Sequence, residues 1–168
     1  MQAVRMARPD ARLVCDANEG WQPDQLNALT LSAAACGIEL IEQPLPASSD
    51  ERLAALSSPV PVCADESAFP GSLPSSLAGR YQAVNIKLDK TGGLTAALTA
   101  ISDARRAGLK VMIGSMVTTS LSMAPAALLA GLADWVDLDS PLLLAKDRTH
   151  AMHITDGYLS PPSPALWG

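Results

Sequence analysis

The chain has 168 residues, 48% of them hydrophobic and 17% charged, which is enough to bury a real core and suggests one domain. The formal net charge of −5 argues against a nucleic acid or an anionic membrane surface as partner. No apolar run reaches the ~18 residues of a membrane span, no basic segment precedes an apolar stretch, and Cys15, Cys36 and Cys63 lack metal-type spacing, so a reducing cytoplasm is expected.

Short apolar runs alternate with helix-like stretches along the chain. Val4, Met6 and Ala7, before Pro9, look like the end of a helix. Strand candidates follow at 12–15, 38–41, 60–64, 83–86, 109–113 and 135–138. Between the first two lies a helical stretch from Pro23 to Cys36, closed by Gly37. Gly93 to Ala107 is a second one, closed by Gly108. A proline in the first turn and a glycine just past the last are helix start and stop signals. Such alternation reads as repeated βα units with a parallel sheet.

The spacing narrows the architecture. From Asp16 to Glu42, Asp65, Lys87, Gly114 and Asp139, each taken as following a strand, the steps are 26, 23, 22, 27 and 25 residues. A near-constant step of this size matches one unit of an eight-stranded barrel, where about 250 residues make eight units. A doubly wound open sheet shares the alternation, but nothing here resembles its glycine-rich phosphate turn. The expected fold is therefore an α/β, TIM-type (β/α)8 barrel in incomplete form, with about six units.

Reactive groups of a barrel lie at the C-terminal ends of its strands. Four successive strands are predicted to end in Asp16, Glu42, Asp65 and Lys87. Three carboxylates on adjacent strands repel one another unless a cation neutralises them, and hard oxygen ligands suit Mg²⁺. Any one of these acids alone reads as a surface or capping residue; three in register do not. A lysine close to a metal and partly desolvated can act as a base near neutrality, which makes Lys87 the candidate base. Lys90, three residues on, is its rival and is expected in a loop.

Five segments together resemble the barrel domain of the enolase superfamily, muconate-lactonising subgroup: Asp16-Ala-Asn-Glu-Gly-Trp21, Ile41-Glu-Gln-Pro44, Ala64-Asp-Glu-Ser67, Asn85-Ile-Lys-Leu88 with Lys90-Thr-Gly-Gly93, and Met112-Ile-Gly-Ser-Met116. In that superfamily a Lys or His base works with Mg²⁺, which stabilises an ene-diolate. The resemblance implies Mg²⁺ ligation by Asp16, Glu42 and Asp65, and an acid/base role for Lys87. Asp137-Leu-Asp139 resembles the segment with which dipeptide epimerases of the L-alanyl-glutamate type grip the substrate's ammonium group. Two residues apart on an extended segment, both carboxylates would face one way. Ser115 and Thr118 fall on the substrate side by the same resemblance. The implied reaction is epimerisation of a small dipeptide by α-proton abstraction through an enolate. N-acylamino-acid racemase, o-succinylbenzoate synthase and muconate cycloisomerase are the alternatives, with a metal-binding barrel fragment without turnover as a second one.

Two departures qualify the resemblance. Relatives carry a Lys-x-Lys motif ahead of the first metal ligand, whereas no lysine precedes Lys87 here. The chain is thus expected to span barrel strands three to eight, without the capping domain and the first two strands. Thr118 stands where many relatives carry an acid; its hydroxyl takes hydrogen bonds but no negative charge. The open edges of such a barrel favour association, into a homo-oligomer for example. His150 and His153 read as surface residues, Arg105 and Arg106 as a solvated helix end, and Met112, Met116 and Met123 as core. Trp21 either edges the site or packs on the next unit.

Overall fold

The structure, a computed structural model, describes residues 1–69 and 74–168. Among these, six parallel strands follow chain order in the sheet: β1 (Leu13–Asp16), β2 (Ile38–Glu42), β3 (Val62–Ala64), β4 (Ala83–Lys87), β5 (Lys110–Gly114) and β6 (Trp135–Val136). The chain divides into two compact units, Met1–Val84 with Arg106–Leu109, and Asn85–Arg105 with Lys110–Gly168.

In the first unit, α1 (Gln2–Ala7) precedes β1, and α2 (Leu26–Ala35) connects β1 to β2. Leu26, Thr30 and Ala33 of α2 are buried, the four-and-three spacing of a stripe facing a sheet. The helix starts at Leu26 rather than Pro23; Pro23, Asp24 and Gln25 form a turn. It stops as predicted, with Gly37 at φ +67, a left-handed conformation that costs glycine little. Arg5 then ties α1 to this helix end: Nε donates to the Cys36 carbonyl at 2.8 Å and Nη2 to the Gly37 carbonyl at 3.1 Å. β2 and β3 are buried almost throughout, which is why they read as apolar runs rather than alternating ones. β3 begins only at Val62; Pro61 lacks the N–H a ladder needs and contributes just its carbonyl, to the Ile41 N–H at 3.0 Å. β1 ends the strand order and alternates between half-buried and exposed residues. Trp21 packs against the cluster of Ala33, Cys36, Ile38, Ile41 and Val60, which decides its role in favour of packing.

The second unit contains α3 (Leu88–Thr91), α4 (Leu94–Arg106, whose last residue lies in the first unit), β5, α5 (Ser120–Leu128) and β6. Ala97, Ile101 and Ala104 form the buried stripe of α4. Ser120 opens α5 fully buried; its hydroxyl bonds the Asp147 carboxylate and accepts the Met152 N–H at 3.0 Å. Beyond β6 a two-stranded hairpin, β7 (Ile154–Thr155) and β8 (Tyr158–Leu159), turns on Asp156 and Gly157 at φ 52° and 81°. An Asp-Gly pair is the usual signal for such a turn; the strands expected from apolar runs stop short of it, because two-residue strands are too brief to form a run.

Two expectations are corrected here. Lys90 sits on α3, because β4 passes straight into that helical turn without a loop. Arg105 and Arg106 lie exposed in the last turn of α4, as expected, and Arg105 donates to Asp134 at 2.7 Å and to the Leu132 carbonyl at 2.9 Å. Met116 is half-exposed, beyond the end of β5, whereas Met112 and Met123 are buried as expected. No helix of the described residues is long and apolar enough to cross a membrane.

Asp134 gives a pH test of the second unit. Burial pushes its carboxyl up, but hydrogen bonds from the Val111 N–H and Arg105, with the positive charge of Arg105, hold it below its ordinary 3.8. A carboxyl depressed in the folded state stabilises above its unfolded pKa, and that contribution is lost as pH falls through the folded value. Asp134→Asn is expected to cost about 1 kcal/mol at pH 7, roughly 2–4 °C in Tm. The difference from the parent protein should shrink steadily on acidification below pH 3.8. Thermal melts from pH 7 to pH 3 check both statements.

Candidate active site

The parallel register puts two of the three acids side by side. Asp16 and Glu42 are direct partners across β1 and β2, and each is the last residue of its strand. Glu42 in turn partners Cys63 on β3, so Asp65 lies two residues further along, just past the strand. Glu42 and Asp65 are buried, at 3% and 4% exposure, while Asp16 is exposed. Asp16 accepts the Asn18 N–H at 2.8 Å, an Asx turn that bends the loop back on itself. That loop is then pinned by the Glu19 N–H to the Gln43 carbonyl at 2.7 Å and the Trp21 N–H to the Pro44 carbonyl at 3.0 Å.

Behind the acids lies a polar network; Gln43 and Ser67 fall within two of the resembling segments, but no spacing links them to Asp50 and Tyr81. Gln43 is fully buried, and its amide oxygen accepts the N–H groups of Asp65 at 2.8 Å and Ser67 at 3.1 Å. Its amide nitrogen faces three acceptors: the Leu45 carbonyl at 2.9 Å, Ser67 Oγ at 2.9 Å and Tyr81 Oη at 3.0 Å. Each hydroxyl has one proton, and both give it to Asp50 Oδ2, Ser67 at 2.6 Å and Tyr81 at 2.7 Å. Arg80 pairs with the other Asp50 oxygen. Burial and the Asp50 carboxylate raise Tyr81 far above its ordinary 10, so its hydroxyl stays a donor.

Three carboxylates are donors of the kind a hard divalent cation takes, and their strand positions fit one. Among the described residues, however, no three His, Cys, Asp or Glu side chains are gathered so that they could hold a metal ion. The register brings the bearing residues together; the side chains do not converge.

The remaining candidates lie in the second unit. Lys87 is the last residue of β4 and partly buried; its carbonyl accepts the Thr91 hydroxyl at 3.3 Å. Asn85, two residues earlier on the same strand, faces the same side. A Cβ on Gly114 would fall 2.6 Å from Asn85 Oδ1 and 2.7 Å from Nδ2, so the bare glycine makes room for this amide. Past β5, Ser115 Oγ lies 3.1 Å from Ser140 Oγ, which in turn bonds Met123 Sδ at 3.3 Å. This joins the end of β5 to the residue following Asp139. The Asp137 N–H donates to the Ile113 carbonyl at 2.9 Å. Asp137 and Asp139 are exposed on either side of buried Leu138, and Thr118 is partly buried. The exposed histidines, His150 and His153, stand apart from these strand ends in sequence and exposure.

Residues 1–165 match the family described as enolase C-terminal domain-like. The chain belongs to this family. It is 49% identical over its full length to an N-acetyl-D-glutamate racemase of Pseudoalteromonas, covering 53% of that protein. It is 45% identical over 95% of its length to the L-Ala-D/L-Glu epimerase of Escherichia coli K12, covering 50% of that one. A crystal structure of an enolase family member from Agrobacterium tumefaciens, with homology to dipeptide epimerases and with bound sodium and L-Ala-L-Glu, superposes with a TM-score of 0.94. That match is 49% identical and covers 99% of this chain and 51% of the other. The chain thus spans about half the length of the curated relatives it matches. With enolase-family enzymes as structural neighbours, the fold class is the incomplete (β/α)8 barrel that the spacing predicted.

Proposed function

We propose that this chain supplies the metal-binding strands and one acid/base of a Mg²⁺-dependent epimerase acting at the α-carbon of an N-acylated glutamate, a dipeptide of the L-alanyl-glutamate type. The observation that carries this reading is the register: Asp16 and Glu42 end paired strands, with Asp65 just beyond the third. Names of the relatives support the substrate class, since both curated proteins act on an acylated glutamate.

In this proposal Asp16, Glu42 and Asp65 hold Mg²⁺, with Asp16, the exposed member, turning away from Asn18 to complete the set. The bound cation supplies positive charge against the substrate carboxylate, which lowers the barrier to losing the α-proton. Lys87 Nζ takes that proton on one face and can return it. Asp137 and Asp139 meet the ammonium group of the alanyl residue, with Ser115 and Thr118 beside them. The six units correspond to strands three to eight of the barrel, and the cytoplasm suits three cysteines that form no disulfide.

A second reading has its own support: the relative at 49% identity is a racemase of an N-acetyl amino acid, which has no ammonium group for the paired acids to meet. Titration calorimetry with L-Ala-L-Glu and its N-acetyl form, in Mg²⁺, separates the two. The dipeptide reading expects about ten- to hundredfold weaker binding of the acetylated ligand, the loss of a charge-assisted contact worth roughly 1.5–3 kcal/mol. Equal affinity for both would transfer the assignment to N-acylamino-acid racemisation.

A further inference from the structure

Gln43 combines two features that ordinary core residues do not share. It is a non-glycine residue at φ 32°, immediately before Pro44, where the backbone is normally extended. Strain of this kind persists only where surrounding contacts over-determine it. Here they do: both lone pairs of the side-chain oxygen and all the amide's donors are engaged, by groups from three separate stretches of chain. The orientation of the amide is thereby fixed, because the reversed one would point N–H at N–H and oxygen at oxygen.

The strain and the network both sit between two acids. Gln43 directly follows Glu42 in sequence, and its side-chain oxygen holds the backbone N–H of Asp65. The Gln43 N–H meanwhile donates to the Cys63 carbonyl at 2.9 Å, extending the β2–β3 ladder one residue past Glu42. One residue therefore controls where the end of β2 stops relative to the first residue after β3. Asp50, Ser67 and Tyr81 hold that residue in place from behind.

We propose that Gln43 is a positioning residue for metal binding: its amide, braced by Asp50, Ser67 and Tyr81, sets the spacing at which Glu42 and Asp65 present their carboxylates to a divalent cation. This rests on the metal role proposed for those acids. Gln43→Met keeps the length of the side chain and removes every hydrogen bond of its amide. Leu26→Ala, on the buried face of α2, serves as a destabilised control outside the network.

The test is Mn²⁺ binding to the intact chain, followed by the electron paramagnetic resonance signal of free Mn²⁺ at a temperature where circular dichroism shows every variant folded. Gln43→Met is expected to weaken binding by about tenfold or more, the range seen for residues that orient ligands. Leu26→Ala is expected to change it less than about twofold. Tyr81→Phe, which removes a brace and leaves Gln43 in place, should fall between them. Equal affinities for Gln43→Met and Leu26→Ala, with the parent binding Mn²⁺, would overturn the positioning role and leave the metal site standing. A parent chain that binds no Mn²⁺ would overturn the metal role itself, and the positioning role with it.

Discussion

Asp50→Ala is expected to destabilise the protein by about 3 kcal/mol, a large share of the ~5–15 kcal/mol that holds a domain of this size together. The carboxylate is buried and receives the hydroxyl protons of Ser67 and Tyr81 and an Arg80 N–H. Truncation leaves two buried hydroxyls without their acceptor and a half-covered guanidinium without its counter-charge. Tyr81 and Ser67 are themselves buried, so their hydroxyls would be left without an acceptor away from bulk solvent. Urea denaturation should show a midpoint lower by roughly 1–2 M with little change in slope. Asp50→Asn keeps the shape and an acceptor oxygen, so about half that loss is expected. An Asp50→Ala midpoint equal to the parent's would mean that the network contributes nothing net to folding.

Lys87→Ala is expected to abolish exchange of the glutamyl α-proton of L-Ala-L-Glu with solvent, a drop of about 10²–10⁴-fold, the usual contribution of a positioned acid/base. The measurement is loss of the α-proton resonance in D₂O with Mg²⁺ present. In the chain itself exchange should proceed without net inversion: returning a proton to the opposite face takes a second group, and no lysine precedes Lys87. Lys90→Ala should retain exchange, because Lys90 lies on α3 beyond the strand end. Exchange that survives Lys87→Ala but not Lys90→Ala would move the base to Lys90. Sustained inversion by the purified chain would overturn the one-sided reading.

Much of the fold was legible because parallel strands buried on both faces are written as apolar runs. Ile38–Glu42 and Ala83–Lys87 lie within a residue of where the runs put them, and the glycines after α2 and α4 marked their ends. The strand end at Val136 was overrun because Asp137 still donates to Ile113, so the pattern continues where the strand pair does not. The acids were legible as a series at constant spacing. What holds them was not: Gln43 and Tyr81 are 38 residues apart, and their contact leaves no periodic trace in the chain. Nor does spacing say how side chains rotate, which is why three acids in register do not by themselves converge on a point.

The contact between Gly114 and Asn85 has a consequence for how this sequence can drift. A side chain at 114 and an amide at 85 compete for the same few ångströms, so the two positions form a single unit of variation. Alanine at 114 requires the Asn85 amide to move aside or a smaller residue to replace it, and Asn85 lies two residues before Lys87 on β4. Substitutions at these two positions can in this way reach Lys87, the proposed base, without touching it.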